Sequence, residues 1–184
     1  MATESDVTLS PSPPSPPPPP ERSVTPFTPS AGAYDRLRIL VGAKTIAMVG
    51  LSADPMRPSH FAAIYMQSEG YDIVPVNPRY VGGEILGQKV YASLEEIERP
   101  VDIVDVFRKP EEAPALAEQA AAIGAKTLWL QLGVENEEAG RIARERGLEF
   151  VQNRCVKIEH ARFFGGLNLV GMNTGVITAR RRIP

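Results

Sequence analysis

The sequence predicts an α/β domain of Rossmann-like, doubly wound type, built on a mainly parallel sheet of about five strands. Three observations predict it. Apolar runs of strand length alternate with segments of helical periodicity. The strand-length runs are continuously apolar, as expected where both faces of a parallel sheet are covered. Gly70, Gly124 and Gly147 each close a helical segment just before the next strand.

The elements follow in order. Residues 1–30 hold most of the 18 prolines, including the unbroken run Pro16 to Pro20. Such a segment lacks backbone donors and apolar side chains to bury, so a disordered tail is expected. Its PxxP spacings, such as Pro11 to Pro14, would suit a protein partner with an SH3-like groove. From Tyr34 the texture changes. Leu37, Leu40 and Val41 recur at helical spacing and stop at Gly42. Strands are expected at Thr45–Val49, Ile73–Val76, Val101–Phe107, Thr127–Leu130 and Glu149–Val151, with helices at Ser59–Glu69, Glu111–Ile123 and Asn136–Arg146. A short helical turn is expected at Leu94–Ile97, and Gly82–Val90 reads as a glycine-bounded excursion. Residues 34–172 make up the expected domain, and 173–184, with Arg180 to Arg182, a basic tail.

Composition excludes several function classes. The 184 residues suit one domain with an appendage, and 43% apolar content allows a substantial core. A net charge of −2 supplies no basic field for nucleic acid. Cys155 is the only cysteine, so neither an internal disulfide nor a thiol-based zinc cluster can form. No secretory signal or membrane-length apolar run is visible, and a cytoplasmic protein is expected.

In a doubly wound sheet, ligands sit beyond the carboxyl ends of the strands, where the strand order reverses. The first such end reads Gly50-Leu51-Ser52-Ala53-Asp54-Pro55-Met56-Arg57-Pro58-Ser59. Gly50 permits a tight turn, Ser52 offers a hydroxyl, and Pro58 suits the first turn of a helix. That helix start would favour an anion, with Arg57 beside it able to fork onto phosphate. The second and third glycines of the dinucleotide fingerprint are missing. After the second strand, Asn77-Pro78-Arg79 stands where an NAD site would carry an acidic residue. A guanidinium there suits a phosphorylated ribose, which leaves coenzyme A and NADP open. The third strand ends in Val106-Phe107-Arg108, a flat apolar ring followed by a cation. The fourth ends in Gln131-Leu132-Gly133, an amide suited to an amide-rich ligand and a glycine allowing close approach.

Five more residues invite chemistry. Asp102 and Asp105 point to opposite faces of their strand and are expected to neutralise nearby cations. Cys155 reads as a small buried residue, with the alternative of a thiol made acidic by Arg154 and Lys157. His60 is expected to pack or face solvent, and His160 shows no metal or triad pattern. No catalytic or metal-binding residue is expected.

Together, "VGLSADPMRPS" (49–59), "GYDIVPVNP" (70–78), "VDIVDVFRKPEE" (101–112), "LWLQLGVENEEA" (128–139) and "NRCVKIEHAR" (153–162) resemble the small CoA-binding proteins of YccU-like type. Those proteins share their fold with the first domain of the succinyl-CoA synthetase α subunit. The resemblance implies that coenzyme A lies across the strand ends. It places Gly50, Ser52, Arg57, Pro58 and Ser59 around the phosphates, and Asn77 and Arg79 at a turn that reaches the coenzyme. Val106, Phe107 and Arg108 fall beside the nucleotide, and Gln131, Leu132 and Gly133 nearest the arm. A CoA ligase needs a further domain and a phosphorylatable histidine, which the matched segments do not include. The expectation is therefore a stand-alone, non-catalytic module for coenzyme A or an acyl-CoA, acting as carrier, sensor or subunit. The alternatives are an NADP-linked oxidoreductase of short Rossmann type and a scaffold for a protein partner.

Overall fold

The computed structural model describes residues 30–165. The proline-rich segment up to residue 29 and the basic stretch 173–184 lie outside the described residues, as does the last part of the expected 34–172 domain. The chain begins with α1 (Ala33–Gly42), β1 (Thr45–Val49), α2 (Pro58–Ser68) and β2 (Asp72–Val76). A 3-10 turn at Pro78–Tyr80 leads to a small antiparallel hairpin, β3 (Glu84–Ile85) and β4 (Gln88–Lys89). After a second 3-10 turn at Leu94–Glu96 comes β5 (Ile103–Val106). A third, at Pro110–Glu112, runs into α3 (Ala113–Ala122). The order then continues through β6 (Thr127–Leu130), α4 (Glu137–Glu145), β7 (Glu149–Val151) and α5 (Val156–Phe164).

All five main strands run parallel, in the order β2-β1-β5-β6-β7. The order reverses between β1 and β5, so the connections leave in opposite directions there and open a crevice at the carboxyl ends. Side chains alternate between two covered faces. Ile46, Met48, Ile73, Ile103 and Trp129 pack with Leu40 of α1, Met66 of α2 and Val156 of α5. Ala47, Val49, Val74, Val104 and Leu128 face the other way, against Ala113, Ala117 and Ala120 of α3 and Ala139 and Ala143 of α4. The alanines let those two helices lie close to the sheet. Pro75, which lacks an N–H, is tolerated because β2 is the edge of the five-strand sheet.

Local chemistry explains the boundaries. Gly70, Gly124 and Gly147 all adopt positive φ (92°, 71° and 78°), a conformation that turns each chain sharply toward the next strand. Asn136 caps α4 by accepting from the Ala139 N–H at 2.8 Å. Two expectations need revision, and one helix, α5, was not expected. Val101–Phe107 shortens to Ile103–Val106, because the Asp102 carboxylate leaves the strand pattern to accept from the Lys44 and Thr45 N–H groups at the start of β1. The excursion at Gly82–Val90 is the β3–β4 hairpin, turned by Leu86 and Gly87 at φ 56° and 72°. The helix α5 lacks a start signal in the sequence, since its N-cap is Cys155 and makes no side-chain capping bond. Tertiary contacts hold it instead. The Arg36 Nε of α1 donates to Glu159 Oε2 of α5 at 2.9 Å, with both side chains buried, and Arg162 pairs with the other oxygen at 3.1 Å.

Of the two strand aspartates, only Asp102 neutralises a cation. Partial burial pushes its carboxyl up, but bonds from Lys126 Nζ (2.7 Å) and from the Thr45 and Lys44 N–H groups outweigh that and hold it below the usual carboxylate range. Asp105 has no such partner. It is fully buried, and burial pushes its carboxyl up to about 8 against a single opposing hydrogen bond from Gln131.

Candidate functional site

The crevice at the reversal point is built from three loops. The first, after β1, begins with Gly50 at φ 87°, where an added Cβ would lie 2.9 Å from both Arg108 Cδ and the Phe107 carbonyl oxygen. Glycine is required there twice over, by the backbone conformation and by the close passage of the β5 loop. Hydrogen bonds then fix the loop's shape. Ser52 N–H donates to Ser59 Oγ at 3.1 Å, and Asp54 N–H to Ser52 Oγ at 3.1 Å. Met56 N–H donates to Asp54 Oδ1 at 2.9 Å, and His60 Nδ1 donates to the Ser52 carbonyl at 2.8 Å. His60 is thereby a structural group.

This loop delivers the start of α2 into the crevice. The N-cap is Arg57, no side chain caps the helix, and Pro58 occupies its first turn. With no capping side chain, the helix dipole leaves a positive end, with the Ser59 N–H in its first turn, that an anion can satisfy. The second loop follows β2. Asn77 Nδ2 donates to the Leu51 carbonyl at 2.9 Å, while its Oδ1 accepts from the Arg79 N–H at 3.1 Å. Asn77 thus binds the two loops together and sets the turn that carries Arg79. The third loop, after β5, supplies Phe107 and Arg108.

These loops enclose a cavity of about 640 Å³ lined by Gly50, Ser52, Arg57, Pro58, Ser59, Asn77, Arg79, Phe107 and Arg108. Asp54, Pro78 and Tyr80 also line it. Nine of the expected residues thus meet at one place. The arginines differ in their present partners. Arg57 Nε lies 3.6 Å from Asp54 Oδ2, and Arg108 Nε donates to Glu112 Oε2 at 2.9 Å. Arg79 makes no ion pair among the described residues, so its guanidinium is the cation most available to a ligand. Three guanidiniums, a helix start and a serine cluster form a donor set suited to phosphates.

Four expected residues stand elsewhere. Val106 is fully buried among the residues packed on α3 and α4. Gln131 is nearly buried and donates from Nε2 to Asp105 Oδ1 at 2.7 Å. Leu132 and Gly133 belong to the β6–α4 loop, where Gly133 N–H donates to Asn153 Oδ1 at 2.9 Å. No atom stands within 4 Å of a Cβ built on Gly133, so its role is the positive φ of 85°. Cys155 is partly buried, and burial pushes its thiol up against the Ile158 N–H, with the field of Asp105 adding to the rise. The activated thiol is therefore overturned. His160 is held by Tyr65, whose hydroxyl lies 3.1 Å from Nδ1, and stacks on Phe164.

The lining residues missed by sequence reasoning had faint signals. Tyr80 and Pro78 flank Arg79 in one short turn, and Asp54 lies within the Gly50–Ser59 loop. Tyr80 carries its hydroxyl to 3.5 Å from Ser52 Oγ, a contact across two loops that spacing cannot reveal. Among the described residues no His/Cys/Asp/Glu group could hold a metal ion, and no helix is long and apolar enough to cross a membrane. A second cavity, of about 380 Å³, opens at the other end of the strands, lined by Leu40, Tyr71, His160 and Phe164 among others. Among the described residues that line it, Lys44 is the one lysine or arginine and Glu69 opposes it, so they are poorly suited to a polyanion.

The sequence profile described as "CoA binding domain" matches residues 44–161. The uncharacterized protein YneT of Bacillus subtilis is 45% identical over 123 residues, which is 67% of this chain and 90% of YneT. A solved structure from Thermus thermophilus, cell-free ID.343, is 37% identical with a TM-score of 0.70, covering 73% of this chain and all of that one. A dinucleotide-forming acetyl-coenzyme A synthetase 1 from Ca. Korarchaeum cryptofilum is 22% identical with a TM-score of 0.55. It covers 64% of this chain and 28% of its own length, and shows likeness of fold.

Proposed function

The chain belongs to the CoA-binding domain family, and from that premise we propose that it binds coenzyme A or an acyl-CoA in the crevice at the carboxyl ends of β1, β2 and β5. It does so as a stand-alone, non-catalytic module, a carrier, sensor or subunit. The observation that carries this reading is the convergence of Arg57, Arg79, Arg108 and the uncapped start of α2 on one cavity. The residues fit the coenzyme's chemistry. The diphosphate would rest on the first turn of α2 with Ser52, Ser59 and Arg57, and Arg79 would face the phosphorylated ribose. Phe107 offers an apolar face for the adenine or the arm. Beyond it, Gln131, Leu132 and Gly133 mark the side of the sheet toward which the arm would run. A cytoplasmic setting, and a protein partner for the PxxP segment, belong to the same reading.

Calorimetric titration with coenzyme A, dephospho-coenzyme A, NADP and NAD tests it. Coenzyme A should bind best, and loss of its 3′-phosphate should weaken binding. Tightest binding of NADP would favour the oxidoreductase reading, and no binding of any of the four would remove the site.

A further inference from the structure

Among the described residues, one buried side-chain atom has no hydrogen-bond partner, Oδ2 of Asp105. Its carboxyl is fully buried, and Oδ1 accepts from Gln131 Nε2 at 2.7 Å. Burial pushes the group up to about 8, so it is neutral at pH 7. With Oδ1 accepting, the proton belongs on Oδ2, which is then a buried O–H donor without an acceptor. Such groups are rare in folded proteins and call for a reason.

The position of Asp105 suggests one. The register sets it between Met48 of β1 and Trp129 of β6. Two residues further along, on the same face, is Phe107, which lines the cavity. Asp105 thus lies one step beneath the crevice, on the side where β6 ends in Gln131. Its surroundings carry little charge. β1 and β6 present Met48 and Trp129, and the core residues of α2 on this face are Ala63 and Met66. At the start of α5, Cys155 is the ionisable group that feels its field. Lys157 acts on that thiol too, though its ammonium stands over the Tyr65 ring, 5.9 Å from the centroid.

We propose that Asp105 and Gln131 form a polar subsite that reads an amide of the coenzyme's pantetheine arm, reached when the Phe107 side chain turns aside; the proposal rests on the crevice being a coenzyme A site. A secondary amide offers one acceptor and one donor. The neutral carboxyl supplies the donor for its carbonyl, and the glutamine amide is the neighbouring polar group. From phosphates at α2, an arm running along the sheet edge passes the ends of β5 and β6 in turn. The nucleotide half of the coenzyme ends short of them.

The test compares coenzyme A with adenosine 3′,5′-bisphosphate, which lacks the arm, on wild type, Asp105→Asn and Asp105→Leu at pH 7 and pH 9. Asparagine keeps one donor and one acceptor; leucine keeps neither. Asp105→Leu should bind coenzyme A at least tenfold more weakly and the armless nucleotide unchanged. Asp105→Asn should match wild type at pH 7 and hold its affinity for coenzyme A at pH 9, where wild type weakens. Loss of both ligands together, or of neither, in a folded leucine variant would overturn the proposal. If that variant does not fold, a wild type and Asp105→Asn with the same pH profile would overturn it. A wild type that binds neither ligand would instead remove the coenzyme A reading itself.

Discussion

An Asp105→Asn variant should differ from wild type by an amount that grows steadily with pH. The wild-type carboxyl is pushed by burial from its ordinary value of 3.8 to about 8 in the fold, opposed only by the Gln131 hydrogen bond. Between those two values the unfolded chain has lost the proton and the folded chain keeps it. The folded state therefore binds one more proton, and stability falls as pH rises, by about 1.4 kcal/mol per unit. Across the window from about pH 4 to pH 8, the accumulated cost is on the order of 5 kcal/mol, a large share of the roughly 5–15 kcal/mol of a typical domain. Asparagine has the same shape, can still accept from Gln131, and does not titrate. Urea unfolding of both proteins at one-unit intervals from pH 5 to pH 9 reads the difference directly, since groups common to both cancel. The stability of Asp105→Asn relative to wild type should climb through that range and level off above about pH 8. Parallel curves would refute the buried, neutral carboxyl.

Other expectations follow from the same contacts. Arg57→Ala and Arg79→Ala should each weaken coenzyme A binding by roughly 1–3 kcal/mol in calorimetry, the scale of a lost charge-assisted hydrogen bond. The loss should be larger for Arg79, which has no ion-pair partner to give up among the described residues, than for Arg57, which must leave Asp54. Gly50→Ala should lower stability by roughly 1–3 kcal/mol in urea unfolding, because a side chain at φ 87° is strained and its Cβ would strike Arg108 and the Phe107 carbonyl. Retained stability would show that the two loops separate easily. Glu159→Gln should cost about 3–5 kcal/mol in the same assay by leaving Arg36 buried without its counter-charge. A loss below about 1 kcal/mol would mean that water reaches the pair.

Much of the sheet was legible because most strands are short, largely apolar runs that follow a helix-closing glycine. Thr45–Val49, Thr127–Leu130 and Glu149–Val151 stand where the pattern put them. The pattern carries no signal where tertiary contacts decide. The helix α5 begins at a cysteine without a capping bond and rests on the Arg36–Glu159 pair, 123 positions apart in the chain. The crevice was legible through chemistry, since arginines after three different strands and a proline-led helix all point to one end of the sheet. The role of Gln131 was not. Its amide pairs with a carboxyl 26 residues away, and only the register of β5 beside β6 brings the two together. Asp105 read as a charge-neutralising residue for the same reason: its spacing gives its face, while burial and the lack of a nearby cation emerge only from the packed fold.

The central claim meets its most direct test in a crystal structure of the chain grown with coenzyme A. Electron density for the diphosphate over the first turn of α2, with the guanidiniums of Arg57 and Arg79 in contact with phosphate oxygens, is the predicted result. Coenzyme bound instead at the opposite end of the strands, beside Tyr71 and His160, would contradict it.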